Sequence, residues 1–330
     1  MTQSEIHTLF ERFAGMRVLV AGDVMLDSYV WGRVDRISPE APVPVVHVKK
    51  LEKRLGGAAN VALNLKALKA EAVLLSLCGD DRSGIQLREL LQNEGLRVDG
   101  LVQSRRPTTV KTRILGNQAH LLRVDEEDDS PSSVEEEKML MARFDALVAH
   151  EQFDALVFED YDKGMLSENS IAHMVSVCKE KGIPVAVDPK KRNFRYYRQV
   201  DLFKPNLKEI REGLKLEVNP KSIDSLKEAH HQLQALLGHS RSLITLSESG
   251  IFAADTKSHL HFNAHHRTIT DVSGAGDTVI AVATLCLAAG CPLETIAAWS
   301  NLAGGLACEF VGVMPVERER LLQEVLKLHS

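Results

Sequence analysis

Short apolar runs recur along the chain, with helix-like stretches between them. Residues 17–21 (RVLVA), 72–77 (AVLLSL), 155–158 (ALVF), 185–187 (VAV) and 243–246 (LITL) are apolar almost throughout. Runs without polar alternation suit strands at the centre of a parallel sheet that is covered on both faces. Residues 58–68, 85–93, 134–150, 169–181, 223–237 and 278–289 carry helical patterns between them. This alternation predicts an α/β fold, a doubly wound, mostly parallel central sheet flanked by helices.

Two regions depart from that rhythm. Residues 27–50 hold prolines at 39, 42 and 44, followed by the strand-like VPVVHV, and residues 108–125 alternate around Gly116 and Asn117 as a hairpin would. Both are expected to be strands of a small β lid over the active-site cleft. The charged stretch 125–138 then leads back to the core as a solvated turn and helix start. With no internal repeat or low-complexity linker, residues 1–330 read as one domain with a lid.

Bulk composition narrows the partners. The chain is 44% hydrophobic and 26% charged with a net charge of −5, so it lacks the basic footprint of a nucleic-acid or anionic-membrane binder. A small molecule is the expected partner. The N-terminus carries Glu5 and Glu11 and no apolar core of a signal peptide, and the apolar run 279–289 is too short to span a bilayer. Cysteines 78, 178, 286, 291 and 308 contain no C-x-x-C and suit small buried hydrophobes in a reducing compartment. A cytoplasmic location is expected. His259, His261, His265 and His266, and the pair His230 and His231, lack metal-site spacing and fit a polar edge strand and an exposed helix face.

The chemistry concentrates in three segments. Residues 271–281 (DVSGAGDTVIA) open an apolar helix, where Gly274, Ala275 and Gly276 would offer free backbone N–H groups to an anion. Asp277 in that turn would repel a bound phosphate, yet it makes sense as a base that takes a hydroxyl proton. A glycine-containing cap with a first-turn acid explains the same residues, and on the residues alone both explanations stand. In residues 55–62 (LGGAANVA), Gly56 and Gly57 permit close backbone approach and Asn60 offers a donor and an acceptor. Asp27 follows the first strand, where ligands of α/β sheets collect and a carboxylate can grip two sugar hydroxyls. A glycine turn and a loop-capping Asp are common, so neither segment decides alone.

Taken together and in this order, the segments resemble the ribokinase-like (PfkB) carbohydrate kinases over nearly the whole chain. The glycine pair with Asn60 is similar to that family's first signature, and D-x-x-G-A-G-D to its second. Gly79–Asp81, the N-x-x-E pattern at Asn206 and Glu209, and TLSESG at 245–250 also resemble family features. The resemblance implies Asp277 as catalytic base, Gly274, Ala275 and Gly276 as anion hole, and Asp27, Gly56, Gly57 and Asn60 as sugar ligands. It implies Asn206, Glu209, Ser247, Glu248, Gly250 and Asn301 around the nucleotide, with Glu209 reaching Mg²⁺ through water. ATP and Mg²⁺ follow as cofactors, and the family leaves room for a monovalent cation. Lids in such relatives often clasp a second subunit, so a homodimer through the lid is expected.

Within the family, residues 22–46 (GDVMLDSYVWGRVDRISPEAPVPVV) resemble the D-glycero-β-D-manno-heptose 7-phosphate kinases of lipopolysaccharide core synthesis. EDYDKG (159–164), VDPKK (187–191) and KPNLKE (204–209) point the same way. Asp162 and Lys191 depart from this subfamily, which tends to have glycine at both places. The resemblance implies phosphorylation of the anomeric C1 hydroxyl. Without an H-x-G-H motif the chain resembles the stand-alone kinase, and a separate adenylyltransferase is expected to act downstream. A phosphorylated substrate calls for cations. Candidates are Lys111, Arg113, Arg123, Arg33, Arg36 and residues 190–192, with Arg113 and Lys190 ranked first. The rivals are a kinase of the same family for a hexose phosphate or nucleoside, a non-catalytic sugar or nucleotide sensor, and a dinucleotide-binding dehydrogenase. The last lacks G-x-G-x-x-G after a first strand.

Overall fold

The computed structural model describes residues 1–117, 119–265 and 267–329. In chain order its elements are α1 (Gln3–Ala14), β1 (Arg17–Gly22), β2 (Val24–Ile37), β3 (Pro44–Gly57), α2 (Ala58–Ala67), β4 (Glu71–Gly79), α3 (Arg82–Asn93) and β5 (Leu101–Ser104). Then come β6 (Thr109–Gly116), β7 (Ala119–Glu126), α4 (Val134–His150), β8 (Ala155–Glu159), α5 (Glu168–Lys181), β9 (Val185–Asp188), β10 (Leu202–Phe203) and α6 (Leu207–Leu214). The rest are α7 (Ile223–Leu237), β11 (Arg241–Thr245), β12 (Ile251–Asp255), β13 (His259–Phe262), α8 (Ala275–Ala288), α9 (Leu293–Ala307) and α10 (Arg318–Leu328).

The large sheet runs β13-β12-β11-β10-β9-β8-β1-β4-β5. It is parallel from β11 to β5, and only the β12 and β13 edge is antiparallel. The α/β expectation holds, and its reason is visible in burial: β8 and β9 are buried at every position, so they show no alternation. Register aligns Gly22 with Glu159 and Glu159 with Asp188, which gathers the carboxyl ends of β1, β8 and β9 at one place. In such sheets that end is where ligands bind.

Helices missed by pattern reading have physical reasons. In α9 nearly every residue is buried, so it presents no polar face and no amphipathic period. Trp299 on α9 packs against Phe10 and Phe13 of α1, with ring centroids 5.2 and 6.2 Å apart. His230 corrects another expectation. It is buried, not on an exposed face, and its Nδ1 lies 2.8 Å from Ser242 Oγ. His266 lies outside the described residues. All five cysteines are free, and Cys308 alone among them is only partly buried.

A second, four-stranded sheet has the order β3-β2-β6-β7. Its strands reach beyond the segments singled out from the sequence: β2 starts at Val24 and β3 runs on to Gly57 at the head of α2. The pairing of β2 with β6 is parallel and sets Asp27 opposite Lys111, while the antiparallel pairing with β3 sets Asp27 opposite Arg54. Leu51, Leu122 and Val48 are 71%, 58% and 53% exposed on this sheet. Among the described residues no helix is long and apolar enough to cross a membrane.

Candidate active site

The turn before α8 is built by its own side chains. Asp271 Oδ1 accepts from Ser273 N at 3.0 Å and Ser273 Oγ at 2.8 Å, and its Oδ2 accepts from Gly312 N at 2.8 Å. Gly274 caps the helix at φ 77°, a left-handed conformation that favours glycine, and a Cβ there would meet Asn60 Nδ2 at 2.9 Å. Ala275, Gly276 and Asp277 form the first turn, whose N–H groups have no acceptor within the helix, although Ala275 N donates to the Val272 carbonyl at 3.3 Å in the preceding turn. Gly276 faces the carboxyl end of β9: a Cβ there would lie 3.6 Å from Asp188 Oδ2 and 3.8 Å from Lys204 Nζ.

Asp277 is 3% exposed and both of its oxygens are held. Tyr161 OH donates to Oδ1 at 2.7 Å and Asn60 Nδ2 donates to Oδ2 at 2.6 Å. Burial raises its carboxyl to about 6, against the two donors and Lys190, with Asp188 adding to the rise. At neutral pH it is therefore an anion close to its midpoint, suited to take a proton. Tyr161 is pushed well above the usual phenol range, first by burial and then by Asp277, so its proton stays on the phenol.

Next to Asp277 sits a cluster of buried charge. Lys204 Nζ lies 2.7 Å from Asp188 Oδ2, and Lys190 Nζ lies 2.7 Å from Glu209 Oε1 and 3.7 Å from Asp188 Oδ1. Burial opposes the charge on Lys190, but Asp188, Glu209 and Glu159 overcome it and raise the ammonium above its ordinary value. Asn206 and Glu209 form a reciprocal capping box on α6: Glu209 N donates to Asn206 Oδ1 at 2.9 Å, and Asn206 N to Glu209 Oε2 at 2.8 Å. Glu159, fully buried at the end of β8, has no hydrogen bond to either oxygen among the described residues. Burial, then Asp188 and Asp277, push its carboxyl well up.

The other sequence-predicted residues fall in two further groups. Asp27 is 3% exposed and pairs with Arg113. A Cβ on Gly56 would lie 2.2 Å from Asp27 Oδ2, and one on Gly57 2.3 Å from the Asp23 carbonyl, so the glycine pair makes room for the protein's own groups. Asn301 Nδ2 donates to the Asn263 carbonyl at 2.8 Å, and Gly250, at φ 86°, abuts the same 262–264 backbone. Ser247 and Glu248 are exposed just before Gly250.

The structure regroups two of these residues. Asn60, expected on the sugar, is fully buried and donates to Asp277. Lys190, expected on the sugar phosphate, sits on Glu209 with its ammonium 5.3 Å from the Tyr161 ring centre. Tyr161, Asp188, Lys204 and Glu159 received no role from the sequence. Their signal was present in EDYDKG, VDPKK and KPNLKE, but those segments carried a likeness without a geometry. Asp162, one departure from the subfamily, adopts φ 56°, which explains why glycine is at home there.

An acid in the first turn of a helix, backed by lysines at the carboxyl ends of a doubly wound sheet, is an arrangement suited to phosphoryl transfer to a small molecule. The sequence profile of the pfkB family carbohydrate kinases matches residues 16–319, and the chain belongs to that family. The D-beta-D-heptose 7-phosphate kinase of Bordetella bronchiseptica is 40% identical over 315 residues, covering 95% of this chain and 97% of that protein. The bifunctional protein HldE of Syntrophotalea carbinolica is 37% identical, and the match covers 100% of this chain and 67% of that protein. Phosphofructokinase-2 from Escherichia coli in complex with potassium shares the fold, with a TM-score of 0.77 and 20% identity over 95% of this chain and 98% of its own.

Proposed function

We propose that this chain transfers the γ-phosphoryl group of ATP to the anomeric C1 hydroxyl of D-glycero-β-D-manno-heptose 7-phosphate. The product is the 1,7-bisphosphate, on the route to ADP-heptose for the lipopolysaccharide core. The observation that carries the chemistry is Asp277, buried in the first turn of α8 with both oxygens held by neutral donors. The choice of sugar rests on likeness to the Bordetella bronchiseptica heptose 7-phosphate kinase across 97% of that protein's length.

Asp277 takes the proton of the sugar hydroxyl as its oxygen bonds to phosphorus and the bond to ADP breaks. Backbone N–H groups of Gly274, Ala275 and Gly276 meet the transferred phosphoryl oxygens, with Lys190 and Lys204 adding positive field. This assignment moves Lys190 from the sugar phosphate to the nucleotide side. Asp27 holds ring hydroxyls, and Arg113, freed from Asp27 in part, meets the sugar phosphate. Gly250 and Asn301 border the nucleotide, with Ser247 and Glu248 near its exposed edge.

Glu209 and Asp188 suit a Mg²⁺ ion that keeps its waters and binds mainly through phosphates. No group of three or more potential metal ligands converges among the described residues. When bound, Mg²⁺ would neutralise charge on the phosphates. Exposed Leu51, Leu122 and Val48 favour a homodimer through the second sheet. An adenylyltransferase would be the downstream partner.

The contrast between two variants tests the substrate assignment. Arg113→Ala should raise KM for the phosphorylated sugar about ten-fold more than for the unphosphorylated one, the scale of one charge-assisted contact, the loss shared by both sugars reporting Asp27 left without its partner. Asp27→Ala should weaken both. Equal losses on both sugars for Arg113→Ala would reject Arg113 as the phosphate ligand.

A further inference from the structure

The mechanism above leaves Tyr161 unexplained. A phenol can donate or accept, but an ionised carboxylate only accepts, so the Tyr161 hydroxyl donates to Asp277. Tyr161 is fixed from three sides. Its backbone N donates to Asp23 Oδ2 at 2.9 Å, its OH donates to Asp277 Oδ1 at 2.7 Å, and its ring lies 5.3 Å from Lys190 Nζ. Lys190 in turn holds Glu209 Oε1 at 2.7 Å. On the opposite oxygen of Asp277, the Asn60 amide meets Asn64, whose Nδ2 donates to Asn60 Oδ1 at 3.4 Å and to the Asn60 backbone carbonyl at 2.9 Å, and whose Oδ1 accepts from Thr278 Oγ1 at 2.9 Å.

We propose that Tyr161 is a positioning residue for the phosphoryl transfer: its hydroxyl fixes the plane of the Asp277 carboxylate and keeps that group an acceptor for the sugar proton. The inference rests on Asp277 being the base. Two donors on opposite oxygens stop the carboxylate from rotating, so the lone pair left on each oxygen points in a set direction. Tyr161 also ties that orientation to the nucleotide side, through its ring contact with Lys190. The groups facing Asp277 are Asn60 on α2, Glu159 and Tyr161 at the end of β8, and Asp188 and Lys190 at the end of β9. Among the uncharged ones, Tyr161 and Asn60 are the donors that favour the anion.

The test is kcat/KM for heptose 7-phosphate against pH, which reports ionisation in the free enzyme. Tyr161→Phe keeps the ring and the backbone bond to Asp23. It should lower turnover about ten-fold, leave KM for ATP within about two-fold and move the acid limb up by about one pH unit, the scale of one lost hydrogen bond to a charge. Replacing Tyr161 alone with 3-fluorotyrosine makes the phenol a stronger donor and should move the same limb down. A merely structural tyrosine would move it in neither direction. If Tyr161→Phe superimposes on wild type while Asp277→Asn is inactive, the positioning role is overturned and the base assignment survives. If Asp277→Asn keeps near-normal turnover, the base assignment itself fails. Should Tyr161→Phe not fold, the fluorotyrosine enzyme decides, and an unmoved limb overturns the proposal.

Discussion

The two sheets carry similar charges in opposite ways. At the carboxyl ends of β8 and β9, Asp188, Lys204, Glu209 and Asp277 are buried and answer partners far away in sequence, such as Asn60 217 residues from Asp277. On the second sheet, Arg33 with Asp35, Lys50 with Glu52 and Arg123 with Asp125 are neighbours two residues apart, with the cations mostly in solvent. Exposed pairs of that kind contribute little to stability. A buried charge must be held by several partners or it shifts its protonation, so the first region is committed to one arrangement and one chemistry. Arg113 with Asp27 is a pair on the second sheet that follows the first region's rule.

The comparison breaks most directly at Asp277. Asp277→Asn should keep ATP binding and lose roughly 10²–10⁴-fold in turnover, the usual scale for a general base, as steady-state kinetics and calorimetry on the purified variant would show. The charge pairs sharpen it. Lys190→Ala should lower kcat by about 10²-fold, because it removes a cation beside the transferred group, whereas Arg123→Ala on the exposed strand should change kcat by less than about two-fold. Equal effects would remove the distinction between the regions. Glu209→Gln should raise the Mg²⁺ needed for half-activity several-fold, on the order of one lost charge-assisted contact, and an unchanged Mg²⁺ titration would reject Glu209 as a metal-side residue.

Protonation gives a smaller effect with a definite sign. Burial raises Asp277 to about 6, so activity should be full above that value and fall as pH drops through it. An activity curve flat down to pH 5 would contradict this placement of the base. The mildest expected change is on the second sheet's outer face. Leu51→Glu should shift the mass seen by light scattering from dimer to monomer while kcat for the phosphoryl transfer changes by less than about two-fold.

The chain's legibility follows the same division. The glycines at 274 and 276 and the acid at 277 could be read because backbone conformation and a helix start do the work there, and both are local. The central strands could be read because burial on both faces leaves an uninterrupted apolar run. Lys190 could not be placed, since a long cationic side chain reaches whichever carboxylate the fold brings near, and Glu209 is 19 residues away. Asn60 was assigned to the sugar for a similar reason: its amide suits either partner, and only the packing of α2 against α8 selects Asp277. Tyr161 carried no composition or spacing signal of its own, only the likeness of EDYDKG to a subfamily segment. The N-x-x-E pattern had a second, purely local meaning, because Asn206 and Glu209 form a capping box on α6.

The measurement closest to the central claim is the fate of phosphorus in the wild-type reaction. Heptose 7-phosphate, its unphosphorylated heptose and fructose 6-phosphate would each be incubated with ATP and Mg²⁺ and followed by ³¹P NMR. The account predicts the highest kcat/KM for heptose 7-phosphate and a new signal for a phosphate on the anomeric carbon beside the retained 7-phosphate. A preference for the unphosphorylated heptose or for fructose 6-phosphate, or a new phosphate on any other hydroxyl, would contradict it.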